Sequence, residues 1–124
     1  MAYPSKLKEP MIDELFQAIL ALQDSDECYR FFEDLCTVGE LKAMAQRWKV
    51  AHMLAHQRTY TDIIQETGAS TATISRIKRC LYYGADGYRD LIARLANEEL
   101  ATADALQAVS AGQATAKKNE NQEK

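Results

Sequence analysis

No stretch of the 124-residue chain approaches the roughly 20 consecutive apolar residues that a membrane-spanning helix needs. Met1 to Pro10 also lacks the apolar run of a secretory signal. The expectation is a cytoplasmic chain with no membrane partner. Three cysteines, Cys28, Cys36 and Cys80, form no CxxC pair, and their odd count without an export signal points to reduced thiols rather than a disulfide framework. There is no Ser-His-Asp or Cys-His order, no phosphate-cradling glycine loop and no paired-carboxylate site, so no enzyme is expected. His52 and His56 stand four apart, as two zinc-binding imidazoles would. Without the HExxH glutamate or a third ligand nearby they read as helix-surface residues, and no metal is expected.

Proline is nearly absent, with only two residues, both in the first ten, so nothing beyond Pro10 interrupts helices through a missing backbone donor. Helical spacing then dominates. Met11, Ile12, Leu15, Phe16, Ile19 and Leu20 form a broad stripe that predicts a first helix from about Glu9 to Gln23. The break Asp24-Ser25-Asp26 offers a cap for a shorter helix to Cys36. Thr37 and Glu40 have the spacing of a capping box. A long helix should follow, with Leu41, Met44, Ala45, Trp48, Ala51, His52 and Ala55 as its apolar stripe and Trp48 in the core. Short helices are predicted from Tyr60 to Thr67 and from about Ser70 or Thr71, and Gly84 and Gly87 bracket the next break. Tyr88, Leu91, Ile92 and Leu95 mark a last helix into the Asn97 to Leu100 region. The fold class is all-α: an N-terminal arm over 1–8, one domain over 9–100 and a flexible, disordered tail over 101–124, of which Ala101 to Val109 could extend the last helix.

The net charge of −3 is unevenly spread. From Leu41 to Tyr83 seven basic residues, Lys42, Arg47, Lys49, Arg58, Arg76, Lys78 and Arg79, face only Asp62 and Glu66, a local balance of +5. One face can thus meet a polyanion while acidic flanks keep the rest soluble. The segment 60–82 holds two short helices meeting at Gly68, the pattern of a helix-turn-helix. Ile74, Ile77 and Leu81 should face the core, leaving Thr71, Ser75, Lys78, Arg79 and Tyr82 on the opposite side. Short groups near a helix N-terminus reach base edges and long cations reach phosphates. Thr71, Ala72 and Ser75 are therefore the candidates for base contact, Lys78 and Arg79 for phosphate, with Tyr82 beside them and Arg79 also able to read guanine.

Thr37 to Leu95 resembles the Trp repressor family, above all its Trp-repressor-related YerC/YecD branch. The resemblance is carried by the helix-opening Thr37, Met44-Ala45-Gln46-Arg47, the helix-turn-helix and the run Gly68-Ala69-Ser70-Thr71-Ala72-Thr73-Ile74-Ser75-Arg76. It implies a six-helix, intertwined homodimer on a pseudo-palindromic operator in double-stranded DNA, acting as a repressor of amino-acid metabolism genes. It also implies a small amino-acid effector between the long helix and the recognition helix, flanked by Arg47 and Arg76 and lined by Thr37 and Thr73. A guanidinium suits such a ligand's carboxylate. Ile77 stands where tryptophan-binding members have glycine and Cys80 where they have serine, which argues against tryptophan and leaves another amino acid, histidine being suggested by the branch, or none. Thr61 and Ile64 replace basic residues on the motif's first helix, so the tryptophan operator is not expected to be read. Rival readings are an effector-independent DNA binder and a helical protein-interaction module.

Overall fold

The computed structural model describes the backbone of residues 2–122 and the side chains of residues 2–108. Six helices follow in order: α1 (Pro10–Leu20), α2 (Ser25–Leu35), α3 (Val38–Ala55), α4 (Tyr60–Thr67), α5 (Thr71–Tyr83) and α6 (Gly87–Gln122). Among the described residues there is no strand, and no helix is long and apolar enough to cross a membrane.

Local chemistry explains most boundaries. Pro10 occupies the first turn of α1, where its missing N–H leaves no bond unmade. Asp24 caps α2 by accepting from the Glu27 amide at 2.8 Å. At the start of α3 the capping box is complete: the Glu40 amide donates to Thr37 Oγ1 at 3.1 Å and the Thr37 amide donates to Glu40 Oε1 at 2.9 Å. Those bonds to its carboxylate hold Glu40 below the usual carboxylate range.

Contacts gather the chain into two units, Met1–Met44 and Ala45–Lys124, where the sequence pattern suggested one domain over 9–100. In the first unit, α1 and α2 contain no buried residue, and Met11 and Leu20 are 77% and 84% exposed. The second unit holds the core: Val50, Ala51, Met53 and Leu54 of α3, Ile63 of α4, Ala69, Ile74, Ile77 and Leu81 of the turn and α5, and Ile92 of α6.

Two expectations need correction. Of the stripe read for α3, only Ala51 is fully buried; Trp48 is half-buried against the core, and Val50, Met53 and Leu54 face inward instead. The segment from Trp48 to Ala55 is apolar on several sides, so periodicity could not select the face that neighbouring helices cover. The tail also differs: α6 continues through Gln122 instead of ending near Leu100, and residues 123–124 lie outside the described residues. Ala101, Ala103, Ala105, Leu106 and Ala108 have high intrinsic helix propensity and no proline intervenes, so the backbone has little reason to leave the helix.

Candidate nucleic-acid interface

The turn between α4 and α5 is three residues long and every one has a task. Thr59 caps α4 by accepting from the Asp62 amide at 3.1 Å. Gly68 ends α4 at φ 70°, ψ 8°, a left-handed conformation that costs side-chain-bearing residues about 1–2 kcal/mol. Ala69 is buried in the core, and Ser70 caps α5 by accepting from the Thr73 amide at 3.1 Å. Each such cap contributes about 1 kcal/mol. Thr67 Oγ1 accepts from the Ala69 amide at 3.2 Å while donating to the Ile63 carbonyl at 2.7 Å. From α3, Gln46 Nε2 donates to the Thr67 carbonyl at 3.0 Å, satisfying an end-of-helix acceptor and tying the turn to the long helix.

The same geometry exposes one face of α5. Ile74, Ile77 and Leu81 enter the core as the spacing predicts, so Thr71, Ala72, Ser75, Lys78, Arg79 and Tyr82 are left exposed; Thr61 is exposed on α4. Charge is sorted as well. The two acids of the basic stretch, Asp62 and Glu66, both lie on Arg58, at 3.5 and 3.4 Å. Among the described residues Arg76, Lys78 and Arg79 make no ion pair, and their charge is available to a polyanion. Tyr60, which sequence reasoning did not single out, reaches across from α4: its hydroxyl is 3.4 Å from Ser75 Oγ and Lys78 Nζ lies 5.8 Å from its ring centroid.

The residues assigned to an effector differ in their surroundings. Thr37 is engaged in the capping box of the first unit. Thr73 Oγ1 accepts from the Ser70 hydroxyl at 3.0 Å, which commits it to the cap of α5. Arg47 and Arg76 are exposed, whereas Ile77 is 4% exposed and belongs to the core, too enclosed to meet a ligand in this conformation. Cys80 lines an open cleft of about 530 Å³ with Trp48, Gly84, Ala85, Gly87, Tyr88 and Leu91. The Trp48 and Tyr88 rings form one wall, 6.3 Å apart, so Trp48 is a cleft residue as well as a core neighbour. Burial pushes the Tyr88 phenol up, the charge of a Cys80 thiolate pushes it further, and Arg47 pulls it down. Arg47 and Cys80 thus act on one shared group. The His52 and His56 rings lie tilted to each other with centroids 4.4 Å apart, and His56 Nδ1 donates to the His52 carbonyl at 2.8 Å.

Gly84 closes α5 and forms part of this cleft; a Cβ there would collide with the Cys80 carbonyl oxygen. Gly84→Ala is expected to destabilise the protein by about 1–3 kcal/mol, read as a lower denaturant midpoint with an unchanged denaturant slope.

Residues 11–96 match the family model for the Trp repressor protein. The chain belongs to the Trp repressor family. This Trp repressor family member is 54% identical over 94 residues to YerC, an uncharacterized protein of Bacillus subtilis, covering 76% of this chain and 90% of that protein. Two solved structures resemble it. A TrpR-like protein from Eubacterium eligens has a TM-score of 0.71 and 56% identity over 73% of this chain and 94% of the other. A candidate Trp repressor from Staphylococcus aureus has a TM-score of 0.70 and 52% identity over 73% of this chain and 91% of the other. The Trp repressor family is one of DNA-binding regulators rather than enzymes, and α2 to α5, with the turn and the exposed face of α5, fall inside the matched segment.

Proposed function

We propose that this chain is a sequence-specific transcriptional repressor of amino-acid metabolism genes, acting in the cytoplasm as an intertwined homodimer. The observation that carries the reading is α5: one face is locked into the core, the other is free, and the free face holds hydroxyls near the N-terminus and unpaired cations beyond them. As the second helix of a helix-turn-helix, α5 would enter the major groove. Thr71, Ala72 and Ser75 would meet base edges, Lys78 and Arg79 phosphates, with Thr61 and Tyr82 at the margins. A second copy of the chain would cover the apolar side chains that α1 and α2 leave exposed, Met11, Phe16, Leu20, Tyr29 and Leu35.

An amino acid other than tryptophan, histidine among the choices, would enter beside Cys80 and Trp48, with Arg47 or Arg76 holding its carboxylate. The enclosed Ile77 favours a second reading, in which DNA binding needs no effector.

Selection of random DNA by the full chain, repeated with single amino acids added, tests both. A pseudo-palindromic site is expected to be enriched. If one amino acid changes that enrichment and the fluorescence of Trp48, the single tryptophan, the gated reading stands. Enrichment indifferent to all of them leaves the effector-free reading. No enrichment even at low salt, where phosphate contacts are strongest, would overturn DNA recognition and leave a helical interaction module.

A further inference from the structure

The two strongest groups on the free face of α5 are not independent of α4. Tyr60 is the first residue of α4, half-buried against the core, so its ring is held by packing while its hydroxyl reaches the surface. Ser75 and Lys78 are three residues apart on α5 and share one side of that helix. Both meet Tyr60: the Ser75 hydroxyl at 3.4 Å from the phenol oxygen, the Lys78 ammonium at 5.8 Å from the ring centroid. A flexible lysine and a freely rotating serine hydroxyl are otherwise poor instruments of recognition, since each loses rotamer freedom on binding.

We infer that Tyr60 is a positioning residue for DNA recognition, which aims Lys78 through its ring and sets, through its hydroxyl, which hydrogen-bonding edge Ser75 reads. The inference rests on the DNA-binding reading of α5. The polarity follows from acidity. A phenol is a stronger acid than a serine alcohol and is the better donor, so the Tyr60 proton points at Ser75 Oγ. The serine proton is then free to point outward. Ser75 then presents its proton to the groove, which favours guanine O6 or N7, adenine N7 or thymine O4, while only one of its two lone pairs is left to accept from the amino groups of adenine and cytosine. At 3.4 Å the contact is long for a hydroxyl pair, so it biases the rotor without locking it. The ring acts separately. An exposed cation held over a tyrosine face is ordered without losing its charge, so Lys78 reaches its phosphate from a restricted set of rotamers.

Two variants separate the roles. Tyr60→Phe keeps the ring and its packing but removes the hydroxyl; Tyr60→Leu removes both. Each is compared with the parent chain on the operator obtained by selection and on all single-base-pair variants of it, over a salt series. Thermal unfolding and the ring-current shift of the Lys78 side-chain protons in the free protein accompany the binding data. Tyr60→Phe is expected to keep that ring-current shift and to relax discrimination roughly two- to tenfold at the base pair under Ser75, with other positions unchanged. Combining it with Ser75→Ala should add nothing further, since one hydroxyl acts through the other. Tyr60→Leu is expected to lose the shift as well and to weaken binding to all sequences by roughly two- to fivefold. Its salt slope should stay at the parent value because the Lys78 charge remains. A Tyr60→Phe variant with the parent's base preferences, or effects of Tyr60→Phe and Ser75→Ala that simply add, would overturn the inference while leaving DNA binding intact. A parent chain that selects no DNA would overturn both.

Discussion

Lys78→Ala combined with Arg79→Ala is expected to weaken operator binding by at least roughly a hundredfold and to flatten its salt dependence, with thermal stability nearly unchanged. Both side chains are exposed and lack ion-pair partners among the described residues, so the folded protein loses little with them. Binding loses a great deal. A hydrogen bond involving a charged group contributes about 1.5–3 kcal/mol, roughly tenfold or more in affinity, and the proposed homodimer would lose each contact twice. Each phosphate contact removed should reduce the slope of log affinity against log salt by about 0.9. Titration of labelled operator at several salt concentrations, with random-sequence DNA alongside, measures both quantities. A uniform loss over all sequences identifies phosphate contacts. A loss confined to one base pair would instead assign Arg79 to a guanine. Unchanged affinity and slope would remove α5 from the interface.

Ile74→Ala is expected to cost about 2–5 kcal/mol. Ile74 is 0% exposed on the inner side of α5 and belongs to the core cluster shared by α3, α4, α5 and α6. A domain of this size has a total stability of roughly 6–18 kcal/mol at about 0.05–0.15 kcal/mol per residue, so the variant loses a sizeable share of it. The effect on binding should exceed that of unfolding alone, because Ile74 helps hold α5 in place and lies next to Ser75. Chemical denaturation followed by circular dichroism supplies the stability. Operator binding measured well below the new midpoint then tests the orientation of α5. Parent-like stability would show that neighbouring side chains collapse into the space more completely than a close-packed core should allow.

The two variants probe opposite faces of one helix, and both faces were legible before the structure. Ile74, Ile77 and Leu81 at helical spacing are buried, and the hydroxyls and cations between them are exposed. The capping box of Thr37 and Glu40 and the left-handed Gly68 were equally readable. The inner face of α3 was not. Its C-terminal half offers Trp48, Val50, Ala51, Met53 and Leu54 on several sides, and only contact with the other helices selects among them. In α6 the polar composition beyond Leu100 suggests a tail, while its alanines favour the helix that the backbone keeps through Gln122. The helical spacing of Ile77 marks it as a core residue, and it is 4% exposed.

Where each helix begins, where α4 stops and which side of α5 turns outward all depend on residues within a few positions of one another, because caps, left-handed glycines and helical faces are short-range chemistry. They could therefore be read from the order of residues. Gln46 at the Thr67 carbonyl, Tyr60 beside Ser75 and Lys78, and Trp48 in one cleft with Cys80 and Tyr88 join residues 15 to 40 positions apart. Nothing local favours those pairings. They exist because burying one shared set of apolar side chains brings four helices against each other and leaves these groups at the seams.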